Sequence, residues 1–335
     1  MTLNSTDETM GRNSGVFWAF FQCSFLIGSL IVYYCFKPKS DDDSKDPTIS
    51  LEQRSIVLII FTALAAFGTL FFFLLRSPRT NRGQGSTESL IVNINRSDRS
   101  DANPSPFESL ISSFKLFITK PMLVLNIVFL YTGLELTFFS GVYGTSVGNT
   151  LHFQESRRLI GLSGVFIGVG EILGGGLFGI FGARITTKGR DSVVLLGMFI
   201  HFVTFYLILL NLPEESPNGD SHDMGYWFEP SVPIAMLCAF LLGFGDSCFN
   251  TQIMSLLGNF YSDNSASAFA IFKFTQSVAA AIGFFYSAIL GLKAQLLILV
   301  ITAFLGTMSF FIVERMAKAK ARAGYRVRDA FGDRE

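Results

Sequence analysis

Apolar residues along this chain are gathered into long runs separated by short polar segments. Eight runs reach the length needed to cross a hydrocarbon core of roughly 30 Å. They are Gly15–Phe36, Ile56–Leu75, Met122–Thr145, Leu159–Gly182, Ser192–Leu212, Ser231–Leu256, Ala266–Leu290 and Leu296–Val313. The pattern predicts an all-α membrane protein, a polytopic helical bundle of about eight transmembrane helices. It divides the chain into 1–75 with two spans, a polar linker over 76–120, a six-helix bundle over 121–314 and a basic tail over 315–335.

The linker has two parts. Arg76–Pro106 is rich in Ser, Asn, Asp and Arg, the composition of a segment that stays disordered. After it, Phe107, Leu110, Ile111, Phe114 and Phe117 recur at helical spacing opposite Ser112, Ser113, Lys115 and Lys120. That is the pattern of an amphipathic helix lying in the membrane interface. Pro121 then opens the third span, where its missing N–H costs nothing.

Composition agrees: 50% of residues are hydrophobic and only 16% charged, against about a quarter charged in soluble domains. The zero net charge says nothing about nucleic acid, because the charges lie in loops of opposite bias, and no nucleic-acid partner is expected. Counting Lys and Arg on alternate sides gives 18 against 7, with Lys273 inside a span. The positive-inside rule therefore puts both termini in the cytoplasm and segment 212–230, which has acids but no Lys or Arg, on the far side. The organelle is not specified. The N-terminus shows no basic, then apolar, cleavable signal, so the first span is expected to act as the insertion signal. The seven basic residues of the tail enforce this topology or, on a sharper reading, bind anionic lipid. Sequons at Asn4 and Asn95 fall on the expected cytoplasmic side and should be unused. Cys23, Cys35, Cys238 and Cys248 fit no zinc or disulfide spacing and read as small packing residues.

Chemistry enters through the ionisable residues inside the runs: Glu135, Glu171, His201, Asp246 and Lys273. Glu171 lies in Ser163–Gly182, a stretch crowded with glycines, including three small-xxx-small pairs that admit a close neighbouring backbone. The three acids and the lysine, unpaired at mid-bilayer, would together cost on the order of 10–14 kcal/mol, so they must pair or stay hydrated. Lys273 begins a small, polar stripe with Gln276, Ser277 and Ala280 that should face the interior. Two readings stand. One is a polar cavity that binds a substrate or relays protons, with Lys273 as counter-ion to an acid. The other is a buried structural ion pair that fixes helix packing. For Glu171, helix packing with a protonated carboxyl competes closely. His201, alone on an apolar span, reads as a hydrogen-bonded packing residue rather than a ligand.

Soluble chemistry finds little support. Gly144-Thr-Ser-Val-Gly148 has the nucleophile-elbow spacing but follows a membrane span rather than a strand. Gly168-Val-Gly170-Glu171-Ile-Leu-Gly174 misses the dinucleotide spacing by one residue. His152, His201 and His222 lie on separate segments, so no metal-ligand cluster is expected, no cofactor is implied and no enzyme is read.

The loop Gly182-Ala-Arg184-Ile-Thr186-Thr-Lys188-Gly189-Arg190 resembles the signature loop of the major facilitator superfamily. Gly182, Gly189 and Arg190 match, while Thr186 stands where that family has aspartate. Longer strings resemble the Unc-ninety-three-like branch: GRNSGVFWA (11–19), GLELTFFSGVYGT (133–145), GLSGVFIGVGEILGG (161–175), LLGFGDSCFNTQ (241–252) and SAFAIFKFTQS (267–277). The resemblance implies two six-helix halves joined by a long cytoplasmic linker. Aligned there, 76–120 is followed by a complete C-terminal half and preceded by the last two spans of the N-terminal half, so this is a partial major facilitator fold. It also implies that Glu135 and Asp246 lie on cavity helices, and Glu171 and Lys273 on interface helices. Three readings of the shorter chain remain: a shortened sequence, an alternative product, or a chain completed by a partner. The match over 3–15, upstream of the first span, favours the first. The function implied is secondary transport of a small molecule or ion by the full-length form. The alternative is a non-transporting regulator or escort of a membrane channel or receptor, as other members of the branch are.

Overall fold

The computed structural model describes residues 5, 9–36, 49–73, 106–182, 184–185, 189–227 and 229–332. Among them are nine helices, eight long and apolar enough to cross a bilayer. We label them α1 (Met10–Cys35), α2 (Leu51–Phe72), α3 (Pro106–Phe117), α4 (Lys120–Asn149), α5 (Ser156–Ile180), α6 (Asp191–Asn211), α7 (Val232–Phe260), α8 (Ser265–Ser287) and α9 (Leu292–Gly332). The linker stretch 74–105 and the sequons at Asn4 and Asn95 lie outside the described residues.

Local chemistry sets several ends. Ser50 and Gln53 form a reciprocal capping box at the start of α2. Pro121 and Pro233 sit in the first turns of α4 and α7, where no amide partner is lost. Gly189 turns the chain into α6 with φ of 116°, a backbone region that side chains avoid. Two boundaries depart from expectation. Helix α4 contains a π turn at Phe138–Val142 and runs on to Asn149. Helix α9 does not stop at Val313 but continues through the basic tail to Gly332. Residues 307–323 contain no Gly or Pro and are rich in Ala, Lys and Arg, strong helix formers, so nothing terminates the turn at the end of the apolar run.

Helix α5 organises the packing. One face runs antiparallel to α1 along its whole length. Gly161 meets the backbone at Tyr33, Gly164 meets Ser29, Gly175 meets Gly15 and Ala19, and Gly182 meets Arg12. From 161 to 182 that seam covers about 30 Å at 1.5 Å per residue. Another face bears on α7, with Gly170 against the Phe240 carbonyl and Gly174 against Ser247. Close approach of this kind supplies the van der Waals contact that replaces hydrophobic driving force between helices in lipid. Helix α4 packs on α8 and α9, and α6 lies against α7 and α9. Their shared core is aromatic, with Phe129, Tyr131, Phe138, Phe205, Phe249 and Phe272 all buried.

Helix α2 touches little besides α1, where the Phe61 ring lies over Gly28, and its surface is exposed almost throughout. Helix α3 tucks Leu116 and Phe117 against the core and leaves Leu110, Ile111 and Phe114 exposed. An apolar exterior of this extent suits a chain whose solvent is hydrocarbon.

Candidate functional site

The three acids read from the sequence come together. Glu135 on α4, Glu171 on α5 and Asp246 on α7 are all buried and adjoin one another, and Glu135 Oε1, Glu171 Oε1 and Asp246 Oδ2 have no hydrogen-bond partner among the described residues. Adjoining carboxylates away from water repel one another, which makes such a cluster a place where protons can reside. Glycines bring the helices close enough for it. At Gly243 a Cβ would meet the Ile167 carbonyl and lie 3.1 Å from Cγ of Glu171. Glu171 Oε2 also accepts from Trp18 Nε1 at 2.6 Å, and Asp246 Oδ1 accepts from Asn250 Nδ2 at 2.6 Å.

His201 is the residue that sequence reasoning undervalued. It is hydrogen-bonded as expected: the Leu242 carbonyl lies 3.2 Å from Nε2, and the Tyr131 hydroxyl contacts Nδ1. Its ring stacks on Phe249 and Phe205. Yet Nε2 is also 3.6 Å from Oε1 of Glu135, so the imidazole adjoins the acid cluster. The available sign was positional. Gly245, next to Asp246, leaves the space that the His201 ring fills.

A cavity of about 750 Å³ opens beside this cluster. Of the three acids only Asp246 lines it, and Lys273 lines it too. Trp18, Phe25, Phe61 and Phe139 supply apolar wall, while Gln22, Asn250 and Gln276 supply polar wall. Lys273, expected as counter-ion to one of the acids, faces Asp246 across the cavity wall without a direct ion pair among the described residues. Two amides intervene. Lys273 Nζ donates to Gln276 Oε1 at 2.8 Å, Gln276 Nε2 reaches Asn250 Oδ1 at 3.5 Å, and Asn250 donates to Asp246. The ammonium lies 4.7 Å from the Phe272 ring centre and 5.9 Å from that of Trp18. The amide chain thus links the two charges without a direct bond between them.

The loop residues form a second polar cluster at one end of the bundle. Gly182 lies directly on the α1 backbone at Arg12, and Gly189 makes the turn described above. Buried Arg190 donates Nε to Ser255 Oγ at 3.0 Å and Nη1 to Glu314 Oε2 at 3.0 Å. Lys318 bridges Asp191 at 3.2 Å and Glu314 at 3.6 Å. Thr186 lies outside the described residues. Glu314 was missed in the sequence because it ends the last apolar run and reads there as a boundary charge.

Eight bilayer-length helical spans among the described residues, with a buried acid cluster that reaches a mixed apolar and polar cavity through Asp246, fit a multi-pass membrane protein of the major facilitator type, the class its relatives support. The chain belongs to the UNC-93 family, described as ion channel regulatory protein UNC-93, which matches residues 1–311. It is 46% identical over 321 residues to the UNC93-like protein MFSD11 of Xenopus tropicalis, covering 94% of this chain and 70% of that protein. The MFSD11 of Xenopus laevis is 46% identical over 319 residues, with the same coverage. UNC93-like protein 3 of Arabidopsis thaliana is 26% identical over 306 residues, covering 88% of this chain and 56% of that protein.

Proposed function

We propose that the full-length form of this protein is a secondary carrier of a small solute, and that 121–314 is its C-terminal half with Asp246 as the proton-binding group at the cavity wall. One observation carries the reading. Of three adjoining buried acids, Asp246 alone reaches the cavity, so it is the group through which protons would pass between cavity and cluster. In a carrier that rocks one half against the other, such a group sits at the face between them. Both termini are cytoplasmic on this reading. Support comes from the loop charge bias and from Arg12, Arg190 and Lys318 lying at the same end of the spans.

Uptake by a full-length form tests it. Asp246→Asn, Glu135→Gln and Lys273→Met should each abolish accumulation while leaving surface abundance unchanged. Unaltered uptake in all three would refute the assignment.

A second reading is a regulator or escort of a channel or receptor. The family description names ion channel regulation, and Thr186 replaces the aspartate of the transporter loop. A stoichiometric channel or receptor recovered by affinity purification, with no flux, would favour it.

A further inference from the structure

We propose that the cavity beside Asp246 binds a small organic anion with an apolar body through Lys273, and that proton uptake by the Glu135–Asp246–Glu171 cluster strengthens that binding. This names the substrate class of the site read above as a carrier's, and it rests on that reading.

Lys273 is exposed to the cavity, and among the described residues no acid pairs with it. Its hydrogen bond goes to the neutral Gln276 oxygen at 2.8 Å, which leaves donors of the ammonium to spare. A cation at membrane depth without a directly paired carboxylate is costly, and an anion entering from the cavity supplies a direct partner. Asp246 attracts Lys273 only from beyond the two amides, with no direct ion pair. It is buried, accepts from Asn250 and adjoins two other acids. The rings of Trp18, Phe25, Phe61 and Phe139 on the same wall suit an apolar body.

The sign of the coupling follows from the groups that face the cluster. Helix α4 contributes Glu135 and Tyr131, α5 Glu171, α6 His201, α7 Asp246 and Cys248, and α8 Lys273. From α1 come only the uncharged Trp18 and Gln22, and from α2 the Phe61 ring. Each proton gained by the acids, or by His201, removes negative charge or adds positive charge near Lys273. Anion affinity therefore rises as pH falls, and by reciprocity a bound anion raises proton affinity.

The test uses the purified chain in nanodiscs of zwitterionic lipid and calorimetric titration with benzenesulfonate, which stays anionic across the range. Benzenesulfonamide and benzylammonium are the neutral and cationic controls. Benzenesulfonate should bind best, and Lys273→Met should weaken it by at least about tenfold, the loss for one charge-assisted hydrogen bond. Lys273→Arg should retain most of the affinity, which separates loss of charge from loss of fold. Affinity should rise by about fivefold or more between about pH 8 and about pH 6, and this rise should flatten in Asp246→Asn. Absence of benzenesulfonate binding, equal binding of the three probes, or unchanged binding in Lys273→Met would overturn the proposal. Anion binding without flux in proteoliposomes would instead sink the carrier reading and leave the anion site standing. Flux of a cationic solute without anion binding would do the reverse.

Discussion

Trp18 donates its indole N–H to Oε2 of Glu171 at 2.6 Å, joining residues 153 positions apart in the chain. The bond links the first span to the fourth and satisfies one oxygen of a fully buried carboxyl. Removing the donor takes a hydrogen bond from a carboxyl that stays buried. Trp18→Phe should therefore destabilise the protein by about 1–3 kcal/mol, read as a lower unfolding midpoint in detergent. Glu171→Gln, which keeps an acceptor oxygen for the indole, should lose less.

The same contact is an optical reporter. The chain has only two tryptophans, Trp18 and Trp227. In a Trp227→Phe background, Trp18 emission should change with pH as protons leave the acid cluster, and Asp246→Asn should move the midpoint. Emission that is flat across the range in which the protein stays folded would show that the cluster does not exchange protons.

Arg190 and Glu314 form a nearly inaccessible ion pair, with side chains 7% and 1% exposed. Removing one partner strands a buried charge, so Arg190→Ala should cost about 3–5 kcal/mol. Arg190→Met with Glu314→Leu should recover much of that, because an apolar replacement of a buried pair is often neutral. Thermal unfolding of the single and double variants measures the coupling. A double variant no better than Arg190→Ala would show that Lys318 and Ser255 matter as much as the pair.

The α1–α5 seam gives a paired test on glycine. A Cβ at Gly161 would strike the Tyr33 backbone, whereas one at Gly176 would meet nothing within 4 Å. Gly161→Val should push the helices apart and reduce the yield of monodisperse protein sharply. Gly176→Ala should be neutral or add about 0.5–1 kcal/mol through helix propensity. Equal behaviour of the two in size-exclusion chromatography and thermal unfolding would refute the seam.

Much of this was legible in the sequence because one physical demand dominates. Hydrocarbon leaves every backbone polar group to be satisfied within its own segment, so run length alone located the eight spans. The same cost argument sent Glu135, Glu171 and Asp246 inward, and they meet there. What the pattern could not supply was rotation about each helix axis. Lys273 shares the cavity with Asp246 but reaches it only through Gln276 and Asn250, an arrangement no spacing rule distinguishes from a direct pair. His201 looked isolated because its neighbours, Tyr131 and Glu135, lie about seventy residues away on another helix. Glu314 looked like a boundary because the hydropathy of α9 falls there although the helix continues.

The π turn at Phe138–Val142 inserts one residue beyond the α-helical count between the two working ends of α4. Below it, Tyr131 and Glu135 face the histidine and the acids. Above it, the Tyr143 hydroxyl reaches the Ala235 carbonyl at 2.5 Å, and Asn149 ties down Ser216 at 2.8 Å. Each residue advances a helix by about 100°, so excising one position from the wide turn would swivel 143–149 by more than a quarter of a revolution against α7. Both ends of α4 keep their present neighbours only while that single surplus position remains in place.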